Sequence, residues 1–573
     1  MDTYTINFFV TSAISAILAV FLVRSRRLRL VAVPVVPVLH YCLFYNFDSG
    51  LIGGIFPLLP PYAGAIYTAF LFRYFVSFGK IKASFSTSEK KTTSIKGIAT
   101  CLGLLVFAVY SKTIPWAIDT FPLSNVEAVL FTVFAGANDG AEEFVISSFI
   151  GKAFIPGLTL FFITEALLVA IALLLAQKKG MFKNFLWAWQ KIATVVFALY
   201  CVVISLVLPG IVASTPFKAL FQRPVDSELY REHYVNPDSA KITAPEQPKN
   251  LVVIFLESME TNFARYTPEI DSLYRQHGFA PGGVNVSGTS WTIAGITGKL
   301  CGIPLNMPMG INEYVGKLPT YLPHAKCLMD ILGAKGYNQV YAQGSSGDFT
   351  QKRTFWTVHG NVAVHDIEYY KGIGKIPKDY KVFWGFEDRK LYELVKGELD
   401  SLSKLDEPFA LYMLTVDTHQ PGFVDDSCAV KYKDVEGSLP KSLHCASELL
   451  SNFLTWASEQ PWFSNTVISV MGDHAMPSLS PKASIPPDEP LYWTNFMLNS
   501  SLPPKTKMQA YSSLDMPPTL LEAMGFSLEG RSFGLGRSLF SDSLTLLEIY
   551  GKHKLDSLLR ERSIQYDYFL MGK

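Results

Sequence analysis

Net charge is nearly absent: 50 Lys and Arg stand against 49 Asp and Glu, leaving +1 over 573 residues. That balance offers no electrostatic footprint for nucleic acid, and no nucleic-acid partner is expected. There is no internal repeat and no low-complexity tract. The long apolar runs carry little charge that could line a path across a membrane, which places transport last among the functions to consider. No basic stretch precedes the first apolar run and a cluster of arginines follows it, so the run is expected to be a membrane segment and not a cleaved signal peptide. Cysteine is scarce, with seven in all. Cys42, Cys101 and Cys201 lie in apolar runs and read as small buried hydrophobes. Cys301, Cys327, Cys428 and Cys445 lie in the polar half, an even count. If that half faces an oxidising compartment, pairing by proximity gives Cys301–Cys327 and Cys428–Cys445, one of three possible pairings.

What is present divides unevenly. The length predicts two or more domains, and most of the apolar content precedes Val212. Six runs there could each supply the roughly twenty apolar residues a bilayer crossing needs: Ile6–Val23, Leu30–Phe47, Gly53–Phe72, Ile98–Ile118, Ala153–Ala176 and Ile192–Val212. Arg24, Arg26, Arg27 and Arg29 follow the first run. Lys80, Lys82, Lys90, Lys91 and Lys96 separate the third and fourth, and Lys178, Lys179 and Lys183 the fifth and sixth. With the N-terminus outside, all of these loops are cytoplasmic, as the positive-inside rule requires. The chain then emerges outside after Val212. The stretch holding Asn138, Asp139, Glu142 and Glu143 is too interrupted to span and reads as an outer-face interfacial segment. The expected organisation is a polytopic helical membrane domain at 1–213, a proline-bearing linker at 214–249 and an extracytoplasmic α/β domain at 250–573. RPVDSELYREHY, within the linker, suits a short surface helix.

In the polar half, Leu251–Leu256 is a short Val- and Ile-rich run that ends at Glu257. It reads as a strand buried on both faces of a parallel sheet. Tyr337–Gln343, Phe409–Val416 and Thr466–Met471 behave alike, and helical stretches such as LYELVKGELDSLSKL and CASELLSNFLTWASEQ intervene. Strands alternating with helices predict a mainly parallel α/β/α sandwich, with chemistry at the carboxyl ends of the strands. Glu257, His419, Asp473 and His474 all fall there. Each alone suits an ordinary loop or cap. Two carboxylates and an imidazole from this group, together with a hydroxyl, make a ligand set for a divalent ion, Mn²⁺ or Zn²⁺. The Gly/Ser/Thr-rich turn NVSGTSWTIAGITGKLCGIP leads into a helix and supplies that hydroxyl from Thr289 or a near neighbour.

These blocks resemble the alkaline-phosphatase/sulfatase superfamily, and within it the membrane-anchored phosphoglycerol transferases that include lipoteichoic acid synthases and the enzymes decorating osmoregulated periplasmic glucans. FLESME looks like the first metal-ligand strand, with Glu257. GTSWTIAGITGKLCGIPL looks like the nucleophile block, where the spacing to Gly302 and Pro304 selects Thr289, with Ser290 and Thr292 as rivals. TVDTHQPGF carries the substrate or acid histidine to His419, and MGDHAMP carries the metal pair to Asp473 and His474. LDMPPTLLEAMG and GLGRSLF resemble the closing elements, with Asp515 structural. Lys352 in DFTQKR stands where lipoteichoic acid synthases place a phosphate-clamping Arg, and Gln343 where they place a histidine. A lysine at that position resembles the glucan-modifying branch.

The resemblance implies a two-step transfer: Thr289, a ligand of one divalent ion, attacks the membrane phospholipid phosphatidylglycerol, and a glycan acceptor then displaces it. Lys352 would hold a phosphate oxygen and His419 would protonate or orient the leaving or attacking oxygen. A bacterial inner-membrane location follows, with the catalytic domain outside. Two rivals stand beside this reading: a phosphoethanolamine transferase acting on lipid A or another surface glycan, and a non-enzymatic membrane-anchored binding or sensor protein.

Overall fold

The computed structural model describes residues 100–113, 149–176, 189, 192–193, 196, 224–306, 321–476, 491–502 and 510–571. The chain divides into two compact units, 1–120 with 143–210 and 121–142 with 211–573.

In the first unit, Thr100–Thr113 is an apolar helix within the run expected at 98–118. A π-turn at Ile150–Phe154 continues into helix α1, Ile155–Ala176, over the run expected at Ala153–Ala176. Among the described residues, one stretch, Ile150–Val169, is helical, long and apolar enough to cross a membrane. The expected runs at 6–23, 30–47 and 53–72, most of 192–212, the basic loops and the interfacial segment around Asn138 lie outside the described residues.

The second unit is built on a six-stranded sheet. Its strands are β1 (Asn250–Leu256), β2 (Asn338–Gln343), β3 (Ala363–His365), β4 (Phe409–Leu414), β5 (Thr466–Gly472) and β6 (Asn495–Leu498). Their spatial order is β3-β2-β4-β1-β5-β6. All neighbours run parallel except β5 and β6. β1 is central because it is apolar throughout: Leu251 to Leu256 are all fully buried. Side chains alternate across a strand, and here both faces meet a core. Leu251, Val253 and Phe255 pack with Ile293, Ile296 and Leu300 of helix α2 (Thr292–Cys301). Val252, Ile254 and Leu256 pack with Leu391 and Val395 of α3 (Asp388–Leu402) and with Leu443 and Leu450 of α4 (Ser438–Ser458). Each such side chain contributes about 1.5–3 kcal/mol on burial, so a charge at Val253 would be left without water or a partner.

The four central strands stand where the apolar runs predict them. The two edge strands were not expected: β3 is three residues long and β6 runs antiparallel, so neither repeats the signature of the centre. The described part of the linker lies against the domain. Leu229 and Tyr230, on the short helix Glu228–His233, are buried. Ile242–Thr243 pairs with Ser527–Leu528, and Val225 bridges to Ser563 near the C-terminus. Both proximity-paired disulfides are formed, Cys301–Cys327 and Cys428–Cys445.

Candidate active site

The sheet order brings β1 and β5 side by side, so Glu257 and the Asp473–His474 pair leave adjacent strands at the same edge. Their ligand atoms all lie within 4.8 Å of one another. His474 Nε2 is 3.6 Å from Asp473 Oδ2 and 3.8 Å from Glu257 Oε1. The three are oriented from behind. Asp473 Oδ1 accepts from the Ser258 and His474 amides, leaving Oδ2 buried without a hydrogen-bond partner. His474 Nδ1 pairs with the Ala475 carbonyl at 2.9 Å, which fixes the tautomer with the lone pair on Nε2. The Ser258 hydroxyl donates to Glu257 Oε1 at 2.7 Å, and Ser258 holds the left-handed backbone, φ 52°, that brings both groups to bear. Burial, and then the charge of Asp473, push the Glu257 carboxyl up, with His474 opposing. Two buried carboxylates and an imidazole lone pair converging on one point are an unneutralised arrangement that a divalent cation satisfies. The residues present fit the group.

The structure divides the candidate hydroxyls. Thr289 is fully buried, and its Oγ1 donates to the Val286 carbonyl at 2.8 Å and accepts from the Val286 amide at 3.0 Å. Its methyl lies beside Gly298. It closes a turn and is not brought to the carboxylates, contrary to the expectation that it is both nucleophile and ligand. Thr292 is the first residue of α2, and its Oγ1 donates to Glu257 Oε2 at 3.4 Å. Helix phase sets which hydroxyl faces Glu257, because a spacing argument cannot say on which residue the helix starts. α2 reaches the site because Gly295 has no side chain: a Cβ there would lie 2.0 Å from the Asp473 carbonyl oxygen.

Lys299, on the same helix, is a participant the sequence reading passed over. It is fully buried, with Nζ 2.7 Å from the Asp473 carbonyl oxygen, 3.0 Å from Ser513 Oγ and 4.0 Å from the centre of the Trp493 ring. A lysine amid helical apolar residues, where a solvated side chain would be ordinary, was its one signal. Lys352 is also buried; Phe349 O and Thr350 Oγ1 accept from its Nζ at 2.9 and 3.4 Å. Burial lowers its ammonium to about 8, against the pull of Glu257 and Asp473. Consecutive left-handed residues, Thr350 and Gln351 (φ 54° and 56°), precede it and turn it inward. His419 Nδ1 is 3.0 Å from the Gln420 carbonyl, which puts the ring's lone pair on Nε2, and burial lowers the pKa of the ring. Its loop is braced by a pair also unseen in the sequence. Asp388 accepts from the Val416 and Asp417 amides at 2.8 and 3.0 Å, and Asp417 accepts from the Asp388 amide at 3.0 Å. Asp515 is structural, accepting from the Ser512 and Arg537 amides at 2.9 Å each.

The sulfatase family model matches residues 249–526. Phosphoglycerol transferase I of Xanthomonas campestris pv. campestris is 32% identical over 337 residues, 56% of this chain and 46% of that protein. The protein of the same name from Escherichia fergusonii is 29% identical over 462 residues, 77% of this chain and 56% of the relative. The chain thus spans about half the length of the curated relatives it matches. Among solved structures, a lipoteichoic acid synthase from Listeria monocytogenes is 17% identical with a TM-score of 0.42, covering 57% of this chain and 78% of that one. The lipooligosaccharide phosphoethanolamine transferase A of Neisseria meningitidis is 15% identical with a TM-score of 0.41, covering 91% and 96%. The segment that the sulfatase family model matches, residues 249–526, holds the parallel sheet and the strand-end cluster of Glu257, Asp473 and His474.

Proposed function

We propose that this protein transfers phosphoglycerol from phosphatidylglycerol to a glycan hydroxyl at the outer face of a bacterial inner membrane, through a phospho-threonine intermediate on Thr292. The observation that carries this reading is the meeting of Glu257, Asp473 and His474 with the Thr292 hydroxyl at a helix N-terminus. The name shared by the curated relatives favours glycerol over ethanolamine as the group transferred. Glu257, Asp473 and His474 would hold one divalent cation, which when bound supplies positive charge to favour the deprotonated threonine and to polarise a phosphoryl oxygen.

The remaining steps belong to the side chains. Thr292 Oγ1, its proton lost to solvent, forms the new P–O bond while the bond to the diacylglycerol oxygen breaks. Protonated His419 gives that oxygen its proton. Neutral His419 then takes the proton of the acceptor hydroxyl as that oxygen attacks phosphorus, and the threonine leaves and recovers its proton. The lowered pKa of His419 suits the second half-reaction, which needs a base near neutrality. Lys352 holds a non-bridging oxygen as a point charge, and the N-terminal dipole of α2 favours the developing anion. The apolar helices of the N-terminal half would keep this chemistry at the lipid surface, where the donor resides. Incubation with head-group-labelled phosphatidylglycerol followed by mass spectrometry of the trapped protein tests the proposal. Phosphoglycerol on Thr292 is expected; label on no residue, or transfer from phosphatidylethanolamine alone, would overturn it.

A further inference from the structure

Four half-buried aromatic side chains form a continuous row beside the site, and neither the cation cluster nor the nucleophile uses them. Phe423 stacks on Phe383 at 5.8 Å, Phe383 meets Trp384 edge-on at 6.2 Å, and Trp384 stacks on Phe349 at 5.5 Å. His419 sits against the row, 5.0 Å from Trp384 and 6.3 Å from Phe383, both edge-to-face. At the far end Lys352 Nζ lies 4.7 Å from the centre of the Phe349 ring. We propose that this row is the platform on which a sugar ring of the acceptor stacks, presenting a hydroxyl to His419; the inference rests on the transfer reaction above and names the acceptor's contact surface.

The platform is built rather than incidental. The turn that carries Phe383 and Trp384 is pinned to the exit of β2. The Phe386 amide donates to the Gly344 carbonyl at 3.0 Å, and Gly385 approaches so closely that a Cβ on it would lie 1.9 Å from Gly344 O. Phe383 holds φ 49°, a left-handed conformation that a bulky side chain adopts only when its surroundings impose it. Glycine or asparagine would relieve that strain, and neither would offer a ring. The occupant must satisfy two surfaces at once. The half-buried rings offer apolar surface, and polar groups border the row: Lys352 beside Phe349 at one end, and His419 against Trp384 and Phe383 in its middle. An acyl chain would cover the rings and leave those polar groups unmatched. A pyranose presents C–H groups on one face and hydroxyls around its edge, matching both. Stacking also gains from aromatic polarisation beyond the area it covers.

The test uses the full chain in phosphatidylglycerol-containing nanodiscs with soluble gluco-oligosaccharides, cellohexaose and maltohexaose, as acceptors. Trp384→Ala is expected to raise the acceptor KM at least tenfold while the donor KM stays within about twofold. Trp384→Phe, which keeps a ring face, should stay within threefold of the parent for the acceptor. Phe423→Ala, which leaves the Gly344–Gly385 contact intact, should move the acceptor KM in the same direction. A rise in donor KM instead, an unchanged acceptor KM, or equal loss in Trp384→Ala and Trp384→Phe would overturn the platform. If the parent protein transfers nothing to either sugar, the function reading fails, and the platform is judged by calorimetric titration of Thr292→Ala with the same oligosaccharides. Binding that disappears on adding Trp384→Ala upholds it; absence of binding refutes it.

Discussion

Two threonines three residues apart should fail in opposite ways when each is cut back to alanine. Thr289 spends its hydroxyl on two main-chain hydrogen bonds to Val286, at 2.8 and 3.0 Å, and is wholly buried. Removing it loses about 1 kcal/mol for each hydrogen bond and about 0.8 kcal/mol for the buried methyl-sized group. The sum is about 2–3 kcal/mol of stability, without removal of a reacting atom. At roughly 2 °C per kcal/mol for a large domain, the thermal midpoint should fall by about 5 °C. Thr292 is only partly buried and makes a single 3.4 Å contact to Glu257, so Thr292→Ala should shift the midpoint by about 1 °C or less. Yet under the proposed mechanism it removes the attacking oxygen, and transfer should drop by a factor on the order of 10⁴–10⁶, as loss of a nucleophile does elsewhere. Thr292→Ser should recover much of the activity and Thr289→Ser much of the stability. The assays are a melting curve on the detergent-purified protein and transfer of labelled glycerol at a temperature well below both midpoints. If Thr289→Ala abolishes transfer at an unchanged midpoint while Thr292→Ala stays active, the helix-phase reasoning is wrong and the nucleophile returns to Thr289.

Other consequences can be checked independently. A strong chelator should remove activity and Mn²⁺ or Zn²⁺ should restore it; in Asp473→Asn, which loses the anionic charge at the unpartnered Oδ2, the same ions should give little or no rise in midpoint, and a rise equal to the parent's would argue against the ligand set. Lys299→Met keeps a stem against Trp493 but loses the ammonium on the Asp473 carbonyl; the half-saturating cation concentration should rise about 10–100-fold, and an unchanged value would reduce Lys299 to core packing. Lys352 must be charged to hold phosphate and sits at about 8 through burial, so kcat/KM should fall as pH rises through that value. Lys352→Arg, which stays protonated, should lose that alkaline limb even if its maximum is lower; the same limb in the variant would assign it to another group.

How much of this was readable without coordinates depended on whether a residue acts by type or by direction. Leu251–Leu256, Phe409–Leu414 and Thr466–Gly472 are doubly buried strands whose composition alone exposes them. Glu257, Asp473 and His474 follow such strands, so their convergence was legible once the sheet was assumed parallel. Which hydroxyl faces Glu257 was not, because Thr289, Ser290 and Thr292 differ only in where α2 begins, and the helix takes Trp291 as its N-cap. Lys299 and the Asp388–Asp417 brace were hidden for a related reason. A buried charge is recognisable only by the group it meets, and those partners lie 174 and 29 residues away along the chain. Phe383 and Trp384 gave no signal, since aromatic residues in a loop usually read as packing.

The pairing of β1 with β5 joins residues 250–256 to 466–472, a separation that has a bearing on the life of the protein before it is finished. During synthesis, Glu257 is delivered more than two hundred residues ahead of Asp473, and a long loop must close before the two strands meet. A nascent domain therefore lacks the cluster of Glu257, Asp473 and His474 until synthesis has passed residue 474. Under the proposed transfer reaction, an unfinished chain could not attack a phospholipid before that closure.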